Sequence, residues 1–138
     1  MVKLLIGEKG TGKTKKLIDR VNAALTTSKG HVVCVEKDDL LRYQISYKVR
    51  LLAASNYGIC GYDAFYGFLS GLCAGDHDIT DILIDATLKI GGRNYDELAD
   101  FLEKVARLSS LTETEFTFTI STEKENLPAR IFEICETL

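Results

Sequence analysis

The sequence predicts an α/β fold, a three-layer sandwich with a mostly parallel sheet of about five strands, in a single domain over residues 1–138. Three observations carry this expectation. Val2-Lys3-Leu4-Leu5-Ile6 is a short apolar run that leads through a glycine-rich loop into a helical pattern. His31-Val32-Val33-Cys34-Val35-Glu36 and Thr80-Asp81-Ile82-Leu83-Ile84 are nearly continuous in apolar residues, as suits parallel strands covered on both faces. Strand patterns and helical patterns then alternate, and a β-α-β connection is expected to be right-handed.

Taken in order, the first helix is expected over residues 15–29. Leu17, Ile18, Val21, Ala24 and Leu25 recur there at helical spacing, and Gly30 stands in the usual terminating place. His31 begins the second strand and is expected to be a plain surface residue. Lys37, Asp38 and Asp39 follow that strand. A solvated turn is the expectation for them, and the crevice at the strand ends is the alternative. Residues 40–46 mix polar and aromatic groups and suit an exposed hairpin or a short helix, with Val49 opening a third strand. Residues 54–61 read as a loop.

Residues 62–74 read as a helix buried over much of its surface by Phe65, Tyr66, Phe68, Leu69 and Leu72. Gly67, Gly71 and Gly75 form a stripe on it, expected to pack tightly on the sheet, with self-association as the alternative. His77 between Asp76 and Asp78 offers metal-ligand types, but one imidazole and two loop carboxylates carry little. Gly91-Gly92-Arg93 reads as a turn, and Asn94 with Glu97 three residues on as a capping box. Leu98, Phe101, Leu102, Val105 and Leu108 mark an amphipathic helix. Residues 115–121 alternate as a strand, and Pro128 opens a final short helix ending near Cys135.

The stretch that carries chemistry is Gly7-Glu8-Lys9-Gly10-Thr11-Gly12-Lys13-Thr14. Two glycines four residues apart, followed by lysine and threonine, fit a phosphate-binding loop. A loop around a polyphosphate must turn its N–H groups inward, and glycine permits that backbone and close approach. Lys13, expected to be exposed, reaches the phosphates as a point charge. The Thr14 hydroxyl suits Mg²⁺, and the helix that starts here points its N-terminus at the anion. The net charge of −3 gives no general affinity for nucleic acid or anionic membrane. Cys34, Cys60, Cys73 and Cys135 form no C-x-x-C pair and sit in apolar runs, so buried free thiols in a reducing cytoplasm are expected. No signal peptide or membrane span is expected.

On these residues the chain resembles the P-loop nucleoside-triphosphate-binding superfamily. More narrowly, it is similar to small stand-alone bacterial ATP-binding proteins labelled as twitching-motility ATPases. It lacks the acidic and histidine boxes of pilus-retraction ATPases. The resemblance implies that Asp85, ending an apolar strand, is a Walker-B-type residue that shares Mg²⁺ with Thr14. In many ATPases of the additional-strand class a glutamate follows this aspartate and orients the attacking water; here Ala86 follows. The resemblance also implies a polar sensor near the end of the next strand, which Thr119 or Ser121 would supply; threonines alternating on a sheet face are the plainer alternative. Arg130 would act in trans as a finger, or be a surface arginine. The expected function is binding of ATP, or another nucleoside triphosphate, with Mg²⁺ and slow or partner-stimulated hydrolysis. A small nucleotide or nucleoside kinase and a non-hydrolysing switch for an unidentified protein partner are the alternatives. Adenine is expected because no guanine-reading Asn/Thr-Lys-x-Asp motif is present.

Overall fold

A computed structural model describes residues 1–138. Its strands are β1 (Val2–Gly7), β2 (His31–Glu36), β3 (Arg50–Ala53), β4 (Ile79–Ile84), β5 (Glu115–Ser121) and β6 (Glu136–Thr137). Its helices are α1 (Lys13–Thr27), α2 (Tyr62–Gly75), α3 (Thr87–Gly91), α4 (Tyr95–Thr112) and α5 (Ala129–Ile134). The six strands form one sheet in the order β3-β2-β4-β5-β1-β6, with every pairing parallel. No helix is long and apolar enough to cross a membrane.

Because successive side chains on a strand point to opposite faces, β1, β2 and β4 each feed two cores, whereas β5 feeds one and turns Thr117 and Thr119 to the other face. Leu4, Val33, Val35, Ile82, Ile84, Phe116, Phe118 and Ile120 enter a larger cluster covered by α2, α4 and α5. Leu5, Val32, Cys34 and Leu83 enter a smaller one with Leu17 and Val21 of α1. The larger core is centred on aromatic rings. Phe65 stacks on Phe101 at 4.8 Å between centroids, and Phe101 meets Phe118 edge-on at 5.7 Å. These layers bring the C-terminal ends of β1, β4 and β5 together at one rim, where the glycine loop lies.

Several expectations change. The sheet has six strands rather than five, because β6 adds two residues beside Lys3 and Leu4. Such a strand is too short to show a period. Residues 40–46 form turns, neither hairpin nor helix, and Leu41 and Ile45 are buried against the α1 side. Ala54–Tyr57 is a 3₁₀ turn within the expected loop. The Gly67, Gly71 and Gly75 stripe does not pack on the sheet: all three are exposed, and a Cβ at any of them would meet nothing within 4 Å. The reason is that α2 turns Tyr62, Phe65, Leu69 and Cys73 inward and leaves the glycine stripe on its outer side. Cys34, Cys73 and Cys135 are buried as expected, whereas Cys60 is exposed in the segment before α2. Asn94 does cap α4, accepting from Asp96 N and Glu97 N at 3.1 Å each.

Glu36 is the most completely covered charged side chain, 3% exposed. Its Oε1 accepts from Leu40 N at 2.8 Å and Leu41 N at 3.1 Å, closing the turn after β2. Burial raises its pKa above the ordinary carboxylate value; the two backbone bonds oppose that rise, and Asp39 and Asp85 add to it. A carboxyl raised in the folded state favours folding in its neutral form. That contribution is lost as pH climbs from the unfolded value through the folded one. Glu36→Gln removes the titration. The melting temperature of the variant relative to the parent is therefore expected to increase as pH rises from the ordinary glutamate value through the raised one. Parallel melting curves across that range, measured by circular dichroism, would refute the assignment.

Candidate functional site

The glycine loop joins β1 to α1, and the helix begins at Lys13, two residues earlier than expected. Gly12 precedes it at φ 81° and Gly10 sits at φ 86°, both in the left-handed region that disfavours other residues. No side chain caps α1, so the N–H groups of its first turn have no partner along the helix. Glu8 O anchors the loop, accepting from Thr11 Oγ1 at 2.8 Å and from Lys13 Nζ at 2.7 Å. Lys13 Nζ also lies 3.3 Å from Thr11 Oγ1. Lys13 is thus not an exposed loop lysine: it is 8% exposed, folded along the loop it was expected to project from. Burial lowers its pKa, and the nearby Asp85 carboxylate pulls it back up.

Asp85 continues β4 by one residue, its N–H donating to Val35 O at 2.8 Å. Its carboxylate meets Thr14 Oγ1, 71 residues away in sequence, at 3.2 and 3.3 Å to the two oxygens. Thr119 Oγ1 donates to Asp85 Oδ1 at 2.7 Å and accepts from Ala86 N at 2.9 Å. One buried hydroxyl on β5 therefore fixes the carboxylate and the backbone that follows it. Ala86 has φ 57°, a left-handed value costly for a residue with a Cβ. The chain turns there into α3, a helix that sequence reading missed because five residues are too few for a periodic signal.

These groups surround a cleft of about 390 Å³. Gly10, Gly12, Lys13 and Thr14 line it from the loop, Ser121 from the end of β5, and Asp85 and Ala86 from the end of β4. Leu88, Lys89 and Arg93 complete it from α3 and the turn beyond, and Lys9 from the loop rim. Neither Lys89 nor Arg93 stood out in the sequence, since nothing there places α3 over the loop. Asp85 is the one carboxylate lining the cleft. The arrangement offers backbone N–H groups and a lysine to an anion, and beside them a hydroxyl and a carboxylate, both hard oxygen donors.

The other candidates lie elsewhere. Asp38 and Asp39 are exposed and do not line the cleft, and Asp39 pairs with Arg42. Arg130 is held by Asp100 Oδ1 at 2.7 Å, Glu103 Oε1 at 3.1 Å and Asp96 O at 3.0 Å, which occupies its guanidinium on the surface of α4. His31, not His77, joins the aspartates: its Nδ1 lies 2.6 Å from Asp76 Oδ2, with Asp78 nearby. The hydrogen bond to Asp76 raises the His31 pKa and lowers that of Asp76. Both side chains are solvent-facing, where such a pair contributes little. No family model matches the chain, and no curated protein matches it.

Thr119→Val tests the hydroxyl at the centre of this geometry. The side chain is 1% exposed and valine keeps its shape, so the loss is confined to the two hydrogen bonds. Removing them leaves the Ala86 N–H without its partner, and the expected cost is about 1–3 kcal/mol in urea unfolding. A loss under about 0.5 kcal/mol would show that water replaces the hydroxyl without penalty.

Proposed function

We propose that the protein binds a nucleoside triphosphate with Mg²⁺ in this cleft and hydrolyses it slowly, or at the stimulation of a protein partner. The observation that carries the reading is the meeting of Thr14 and Asp85. The threonine follows a glycine loop and lysine, the aspartate ends a strand 71 residues on, and their oxygens come within 3.2 Å beside Lys13. The superfamily resemblance gains support from the sheet order, in which β5 lies as an additional strand between the loop strand and the aspartate strand.

In this reading the loop N–H groups and the start of α1 hold the phosphates. Lys13, already drawn against the loop, places a positive charge at a fixed point instead of sweeping through solvent. Thr14 and Asp85 would hold Mg²⁺, and a hydroxyl beside a carboxylate is a donor set that fits that ion. The ion, when bound, neutralises charge on the phosphates. Thr119 keeps the Asp85 carboxylate turned toward Thr14. Water activation is the missing part. Ala86 cannot take a proton, and Glu36 on the neighbouring strand is buried with its oxygens on Leu40 N and Leu41 N. That absence also favours a second reading, a nucleotide-dependent switch that does not turn over.

Lys13→Met retains the packed stem and deletes the charge. Affinity for ATP with Mg²⁺ in calorimetry is expected to fall about 10- to 100-fold. Asp85→Asn is expected to weaken binding in Mg²⁺ and to spare the metal-free component. Unchanged dissociation constants in both variants would end the reading.

Turnover separates enzyme from switch. Lack of a positioned base costs about 10²- to 10⁴-fold, and typical enzymes turn over at about 10 s⁻¹. Steady-state phosphate release by the isolated protein is therefore expected at about 10⁻¹ to 10⁻³ s⁻¹. A rate near 10 s⁻¹ that Lys13→Met abolishes would mean that another residue activates the water.

A further inference from the structure

We propose that the Lys89 to Arg93 segment is the part of the site that tells a nucleoside triphosphate from a diphosphate, with the Arg93 guanidinium engaging the terminal phosphate. The assignment rests on the nucleotide reading above and deepens it. Its basis is the charge that faces the cleft. The chain carries a net charge of −3, yet Lys9, Lys13, Lys89 and Arg93 line this one cleft against the single carboxylate of Asp85. Two of those cations come from the glycine loop. The other two come from a separate wall, built by the chain after β4.

Arg93 and Lys89 are uncommitted. Neither forms an ion pair, whereas the guanidinium of Arg42 is taken by Asp39 and that of Arg130 by Asp100 and Glu103. An arginine presents a planar fork that matches phosphate oxygens two at a time, and an unpaired one facing a polyanion site has its donors free for that purpose.

The wall that carries them is fixed in place. Its start is held by Thr119, which accepts the Ala86 N–H. Its end is held by Tyr62, whose hydroxyl donates to Gly92 O at 2.7 Å. Between them, Gly61 N donates to Ile90 O at 2.9 Å, and Leu88 and Ile90 are buried in the main core. Gly91 lies against the Tyr62 ring so closely that a Cβ there would fall 2.1 Å from Cε1. The two cations are thus mounted on a docked segment rather than a loose loop, and charge held in advance needs no reorganisation when it meets a phosphate. The loop and α1 hold the phosphates nearest β1. The separate wall is the part of the cleft left to meet the phosphate farthest along the chain.

Calorimetry with ATP and with ADP, both in Mg²⁺, tests this on the parent, Arg93→Ala, Arg93→Lys and Lys13→Met. Arg107→Ala, an exposed arginine outside the cleft, is the control. Arg93→Ala is expected to weaken ATP binding about 10- to 100-fold and ADP binding less than about 3-fold. Arg93→Lys keeps charge but loses the fork and is expected to fall between Arg93→Ala and the parent. Lys13→Met is expected to weaken both nucleotides, and Arg107→Ala neither. If Arg93→Ala leaves the ATP-to-ADP preference of the parent unchanged while Lys13→Met weakens both, the nucleotide reading stands and the assignment of Arg93 is wrong. If the parent binds neither nucleotide, both fall together.

Discussion

Thr119 Oγ1 is the joint on which the rim of this protein depends. It donates to the Asp85 carboxylate and accepts the N–H of Ala86, so a single buried hydroxyl spends its donor on one end of a turn and an acceptor lone pair on the next residue. The carboxylate so held is the one that reaches Thr14 at the start of α1. β5 lies between β1 and β4 in the sheet, and Thr119 is paired in register with Leu5 of β1. The middle strand is therefore the shortest bridge between the loop at one side and the aspartate at the other. A valine there would fill the space and leave the Asp85 carboxylate and the Ala86 N–H without this partner.

The same joint explains why a strained residue is tolerated. Ala86 in the left-handed region costs of order 1–2 kcal/mol. The turn it makes sends α3 back across the end of the sheet instead of away from it, which buries Thr87, Leu88 and Ile90. Full burial of one aliphatic side chain is worth about 1.5–3 kcal/mol, so Leu88 and Ile90 together exceed the backbone strain. The strain is local, and the gain is spread through the core that α2 and α4 share. The turn also places Lys89 and Arg93 on the cleft, so the packing that offsets the strain and the charge that faces the cleft come from one segment.

The parts of this structure that sequence makes legible are those with a repeating physical signal. β2 and β5 have their expected limits, because four consecutive apolar residues in one and seven alternating residues in the other leave few other arrangements. The loop is legible because its glycines are demanded by backbone geometry. What stays hidden has no period. β6 is two residues long and α3 is five. The exposed glycine stripe of α2 could be placed only once the helix had a neighbour on its other side. Lys13 in isolation looks like a solvent-facing charge, and only the fold of the loop shows Glu8 O waiting for it. Glu36 at the end of a strand likewise gives no sign that Leu40 and Leu41 will turn their N–H groups onto it.

The candidate site was half visible for the same reason. Thr14 is set by its neighbours in sequence, whereas Asp85 becomes its partner through the sheet order, which brings residues 71 apart within hydrogen-bond distance. Arg130 and Arg93 show how little residue type alone decides. Both are arginines beyond the aspartate strand, and Arg130 is the one on a recognisable helix. Yet Asp100 and Glu103, one turn apart on α4, claim its guanidinium, while Arg93 follows two glycines into a turn with no carboxylate against it. A cation is available to a ligand only where the fold has not already paired it. In a chain with 20 acidic residues and 17 basic ones, leaving four cations facing one carboxylate is a property of the fold. It sets the field that an incoming anion meets before any hydrogen bond forms.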